Sequence, residues 1–105
     1  MAFGELEHLI LLQILRLDEK AFALEIRDRL RTEADRAVTR GALYRSLDRL
    51  ADKGLIRWRT IEPDTGRGGH ARRRFVVTTQ GRELLAARRG VLMNLWDGLE
   101  GVLDV

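Results

Sequence analysis

The sequence predicts a mostly α fold of the α+β kind: a three-helix core, a two-stranded hairpin after it, and a long C-terminal helix. Three observations carry this. Apolar residues recur at helical spacing in three separate stretches between residues 5 and 53. The period then drops from roughly 3.6 residues to 2 in the stretches 55–61 and 73–77, which flank the only proline and a cluster of glycines. From Thr78 onward leucines return, now seven residues apart.

The first helix is expected over residues 5–17. Leu6, Leu9, Ile10, Gln13 and Leu17 form one stripe, which Leu11, Leu12, Ile14 and Leu15 widen. So apolar a helix must be covered nearly all round, which places part of it, with Leu9, against a second subunit. His8 reads as a surface or interface residue. Asp18-Glu19-Lys20 breaks the pattern, with Asp18 as cap, and a second helix follows from about Ala21 to Arg31 with Phe22, Ile26 and Leu30 facing inward. Its charged outer face offers pairs worth only a few tenths of a kcal/mol each. Thr32 to Val38 then forms a polar connection.

The third helix has a marked start and stop. Thr39 is a good N-cap, and Gly54 follows Lys53 as a left-handed residue past a helix end does. Leu43, Leu47 and Leu50 share one face; Gly41, Arg45, Asp48, Arg49 and Asp52 occupy the other. One side suits a core and the other a DNA major groove. With the helix before it, this is a helix-turn-helix pattern.

Leu55–Ile61 and Arg73–Val77 are strand-like, and residues 62–71 between them read as a long hairpin tip. Arg67, Arg72, Arg73 and Arg74 sit on or near it, which makes the hairpin a basic wing. A glycine-rich phosphate cradle of the nucleotide-binding kind lacks its strand–helix context and its Lys-Ser/Thr. The last helix is expected from Thr78 to about Leu103, with Leu85, Leu92 and Leu99 seven apart, as are Leu95 and Val102. Such a seam packs on a partner helix, and Trp96 lies beside it as a core or interface residue. Residues 1–77 are thus expected to form a winged helix-turn-helix unit and 78–105 a C-terminal dimerisation helix, in one compact body.

Composition agrees. The 105 residues are 45% hydrophobic and 33% charged, as in a single folded domain. With no cysteine and only two distant histidines, disulfides and thiolate or histidine metal sites are not expected. No cofactor is called for. The longest apolar run is too short for a bilayer and the N-terminus lacks a signal-peptide pattern, so a cytoplasmic location without membrane contact is expected. The net charge of +3 hides an asymmetry: residues 1–38 carry −2, residues 39–90 carry +8 and residues 91–105 carry −3. A basic middle between acidic ends suits a surface that meets a polyanion.

Four stretches resemble the PadR family of bacterial transcriptional regulators. They are Gly4-Glu5-Leu6-Glu7 with its apolar helix; Ala21-Phe22-Ala23-Leu24-Glu25-Ile26; Thr39 to Tyr44 with Leu47, Leu50 and Lys53-Gly54-Leu55; and Arg72 to Gly81. The chain departs from the family at Arg74-Phe75, where an aromatic pair is usual, and at Thr79, where Pro is usual. The single last helix looks like the short subfamily. The resemblance implies a homodimeric repressor on a pseudo-palindromic operator, joined through the C-terminal helix with help from the first. It also implies that a flat aromatic effector can bind at the dimer interface against Trp96.

The expected DNA contacts are Arg40, Tyr44, Arg45 and Arg49 on the third helix, with Thr39 and Gly41 at its open N-terminus beside a phosphate. Arg45 and Arg49 are the candidates for reading guanine. Arg67, Arg72 and Arg73 on the wing would hold the backbone or minor groove. The expected dimer contacts are Leu9, Leu85, Leu92, Leu95, Leu99 and Val102. No serine–histidine–acid or paired-carboxylate arrangement is recognisable, so an enzyme is not expected. The rival class is a winged-helix protein-docking module, which would lack salt-dependent DNA affinity.

Overall fold

The computed structural model describes residues 3–63 and 69–104. The element order is α1 (Glu5–Leu17), a single 3-10 turn (Asp18–Lys20), α2 (Ala23–Ala34), α3 (Arg40–Asp52), β1 (Ile56–Ile61), β2 (Arg72–Val77) and α4 (Thr79–Trp96). Helices α1–α3 pack around a core made by Ile10, Leu11, Ile14, Ile26, Leu30, Leu43, Leu47 and Leu50. The strands pair antiparallel, Ile56 opposite Val77 and Trp58 opposite Phe75, and close one side of that core with Ile56, Phe75 and Val77. This is the winged-helix arrangement that the sequence predicts.

The bounds of α1 and α3 are as the sequence suggests, and α2 differs at both ends. Asp18 does not cap α2; it takes φ 52° at the end of α1. Ala21 and Phe22 are drawn into the sheet instead: the Phe75 N–H donates to the Ala21 carbonyl at 2.9 Å, and Phe22 bridges to Arg74. Residues committed to a strand edge cannot also be helical, so α2 starts at Ala23. It runs on to Ala34, where Asp35 turns left-handed at φ 50°, a conformation aspartate tolerates.

The larger correction concerns α4. The leucine spacing predicts helix to about Leu103, but α4 ends at Trp96 and Gly98 takes φ +84°. Tight turns follow, with the Leu99 N–H on the Trp96 carbonyl at 2.8 Å and the Val102 N–H on the Leu99 carbonyl at 3.0 Å. The sevenfold seam therefore breaks: Leu85 and Leu92 are helical, while Leu99 and Val102 are not. Two glycines in four residues weaken any helix there, by about 1 kcal/mol each, and Leu99, Val102 and Leu103 are exposed, so no burial among the described residues offsets that.

The base of α4 is tightly seated. The Thr78 hydroxyl accepts from the Gly81 N–H at 3.0 Å and donates to the Gly54 carbonyl at 2.7 Å. At Gly81 an added Cβ would stand 2.4 Å from the Leu55 carbonyl oxygen and 2.7 Å from Val77. Only glycine lets the helix approach the α3–β1 turn this closely. Beyond Leu85 the helix leaves the core, and the molecule extends over 57 × 31 × 22 Å.

Candidate nucleic-acid interface

Helix α3 is held by its inner leucines and by a part-buried charge pair. Glu7, on α1, accepts from the Lys53 ammonium at 2.8 Å and from the Gly4 N–H at 3.3 Å. Burial alone would raise the Glu7 carboxyl; these hydrogen bonds and the Lys53 and Arg49 charges outweigh it and hold the group below its ordinary value. The C-terminal end of α3 is thereby pinned to α1.

At the other end Thr39 caps the helix, its hydroxyl accepting from the Ala42 N–H at 3.1 Å. The Leu43 N–H pairs with the Thr39 carbonyl. Among the described residues no partner is recorded for the N–H groups of Arg40 and Gly41, and the first turn carries no acid. The N-terminus therefore presents donors and a positive dipole end. Arg40, Gly41, Tyr44, Arg45, Asp48 and Arg49 are exposed.

The arginines differ in setting. The Arg45 guanidinium folds back along the helix, 3.3 Å from where a Cβ on Gly41 would stand, so both lie at the open N-terminal end. Arg49 donates to the buried Ser46 hydroxyl at 3.1 Å on the flank that faces α1. Tyr44 is half exposed and shares a cleft of about 490 Å³ with Phe22, Ala23 and Leu24 of the α2 start and Ala71–Arg73 and Phe75 of the wing. Arg73 stacks over Trp58, 4.1 Å from the ring centre, and Arg72 lies 3.9 Å above Phe22 while pairing with Glu25 at 3.0 Å. Tyr44 of α3, the α2 start and the wing thus meet at one cleft. Arg67 lies outside the described residues.

Glu25 reads in the sequence only as part of the charged outer face of the second helix, whereas its partner is Arg72 of the wing; Arg57 and Arg59 carry no expected role. Alternation along β1 puts Arg57 and Arg59 together, and the strand register sets Arg59 opposite Arg74. The spacing was readable; the pairing that brings Arg74 to the same face was not.

A second feature lies between α1 and α4. His8, Leu12 and Leu15 face Leu85, Ala86, Arg89, Leu92, Met93 and Trp96 around an open apolar groove of about 570 Å³. Burial, and then the Arg88 charge, lower the His8 pKa, so the ring stays neutral at pH 7. Of the expected dimer residues, Leu92 lines this groove beside the buried Leu85, and Trp96 closes it. Leu9 is part-buried against the core, while Leu12 and Leu15 are exposed on α1. Leu95 is exposed on α4, and Leu99 and Val102 are exposed beyond its end.

Among the described residues no cluster of three potential metal ligands occurs, and no helix is long and apolar enough to cross a membrane.

The model of the transcriptional regulator PadR-like family matches residues 11–87. A PadR-like transcription factor from Bacteroides fragilis superposes with TM-score 0.72 at 27% identity, over 94% of this chain and 90% of that one. A PadR family transcription regulator from Clostridium difficile superposes with TM-score 0.69 at 22% identity, covering 96% of each chain. Bacillus subtilis PadR, solved in complex with operator DNA, gives TM-score 0.64 at 20% identity over 80% of this chain and 47% of that one. No curated protein sequence matches the chain.

Proposed function

Because the chain belongs to the PadR-like family, whose members are transcriptional regulators and not enzymes, we propose that it is a homodimeric repressor of a nearby operon. In this reading α3 enters the major groove of a pseudo-palindromic operator. Arg45, beside the open N–H groups of Arg40 and Gly41, reads a base edge, and Thr39, Arg40 and Tyr44 hold the adjacent phosphates. Arg49 reaches a second base from its perch on Ser46. Arg67 and Arg73 place the wing on the backbone, and Arg72 stands beside them. The observation that supports the reading is the cleft that Tyr44 of α3 shares with Arg72 and Arg73 of the wing, on a helix whose Arg40, Gly41 and Arg45 are exposed. The operator-bound structure of Bacillus subtilis PadR, a relative in fold, supports it.

The apolar groove and the exposed apolar residues along α4 support the dimer. A contiguous patch of this kind is rare on a monomer. Two copies joined there must set their α3 helices about 34 Å apart to meet successive major grooves. A flat aromatic effector stacked on Trp96 would change the angle between subunits and so release DNA.

Fluorescence anisotropy of a labelled duplex from upstream of the protein's own gene, with random duplex as competitor, tests the DNA reading. Tight binding that survives the competitor and weakens with salt is expected. Arg45→Ala should flatten the preference by about 1–3 kcal/mol; an intact preference would remove Arg45 from base reading. Absence of binding at low salt would favour the docking-module alternative. Unchanged Trp96 fluorescence with a saturating aromatic ligand would count against the effector.

A further inference from the structure

We propose that Glu25 sets the DNA affinity of the wing by holding Arg72 as an internal counter-ion, which withholds one positive charge from DNA phosphate. This rests on the DNA-binding reading above.

Arg72 and Arg73 are consecutive, yet their settings are opposite. Arg73 lies on Trp58, and no ion pair to it is recorded among the described residues. Arg72 is clasped: its Nη1 donates to Glu25 Oε1 at 3.0 Å and its guanidinium covers Phe22 at 3.9 Å. The clasp joins elements that backbone pairing already ties, since Phe22 bridges to Arg74 and the Ala21 carbonyl takes the Phe75 N–H. Arg72 and its acid partner are therefore held side by side by backbone pairing.

The second oxygen of Glu25 strengthens the case. Oε2 is buried with no hydrogen-bond partner, so among the described residues the carboxylate depends on Arg72 alone. The clasp lies beside the cleft that Tyr44, Arg72 and Arg73 line. The pair is only part-exposed, 51% for Arg72 and 34% for Glu25, so an approaching phosphate can compete for the guanidinium but must displace a carboxylate that also repels it. A pair this exposed contributes little to stability. Its effect belongs in binding.

The test compares wild type, Glu25→Gln, Arg72→Gln and the double variant by anisotropy on a labelled random-sequence duplex across a salt series. No operator need be known. Gln keeps an acceptor for Arg72 and removes the charge. Glu25→Gln should bind severalfold tighter at low salt, with a salt slope steeper by about 0.9, one phosphate contact. Arg72→Gln should leave the wild-type slope nearly unchanged, and the double variant should match it. Glu25→Ala should change in the same direction as Glu25→Gln. Weaker or unchanged binding in Glu25→Gln overturns the proposal. So does an Arg72→Gln slope that falls by a full contact while Glu25 is intact, since Arg72 would then already reach DNA. Wild type that binds no duplex at low salt would overturn the DNA reading itself, and this inference with it.

Discussion

One added methyl group probes how the last helix is seated. Gly81→Ala would push a Cβ into the Leu55 carbonyl and Val77, neither of which is a flexible side-chain end. Overpacking of this kind costs about 1–3 kcal/mol, and a lowered urea midpoint with an unchanged m-value is expected. Glu7 gives a second handle, through pH. Its folded carboxyl titrates below the ordinary 4.5, so the unfolded chain binds the proton more readily. Its stabilisation is present above that value and is lost as pH falls through the lowered one. Urea unfolding between pH 5 and 3 should show wild type losing more stability than Glu7→Gln; equal losses would mean that the Lys53 pair contributes nothing. Thr39 and Gly54 were legible in sequence because a cap and a left-handed residue are local. Gly81 and Glu7 were not, since their constraints come from residues 26 and 46 positions away.

At the scale of elements, α1, α3 and both strands could be read directly, because each carries its own period and its own punctuation. Helix α2 began later than expected because Ala21 and Phe22 answer to a strand more than fifty residues downstream. Helix α4 misled for a different reason. Leu85, Leu92 and Leu99 keep their spacing straight through Gly98, and spacing carries no record of a backbone that turns left-handed. The arginines of α3 and the wing were legible as a list, but their differing restraints, Arg72 by Glu25 and Arg49 by Ser46, needed the folded chain. Gly90, inside α4 with open space around its Cβ position, is the element's weak point. Gly90→Ala should raise stability by about 1 kcal/mol. A loss in that measurement would mean that a second chain lies against this position.

For the whole molecule, the decisive quantity is the apolar surface between α1 and α4. Leu12→Glu or Leu92→Glu would place a charge in that groove without touching the basic face. Either should leave the fold intact by circular dichroism, yield monomers in sedimentation, and weaken operator binding through lost bivalency. A dimer that persists in both variants would put the subunit contact elsewhere. The Thr78 hydroxyl then acquires a mechanical meaning. One oxygen atom ties the turn after α3 to the first turn of a rod about 27 Å long. If the far ends of two such rods are clamped together, a tilt of about 5° at the clamp swings each base by about 2 Å over that length. In such a dimer the α3 helices would ride on those bases, and the pair would work as calipers whose jaws are set from the handle.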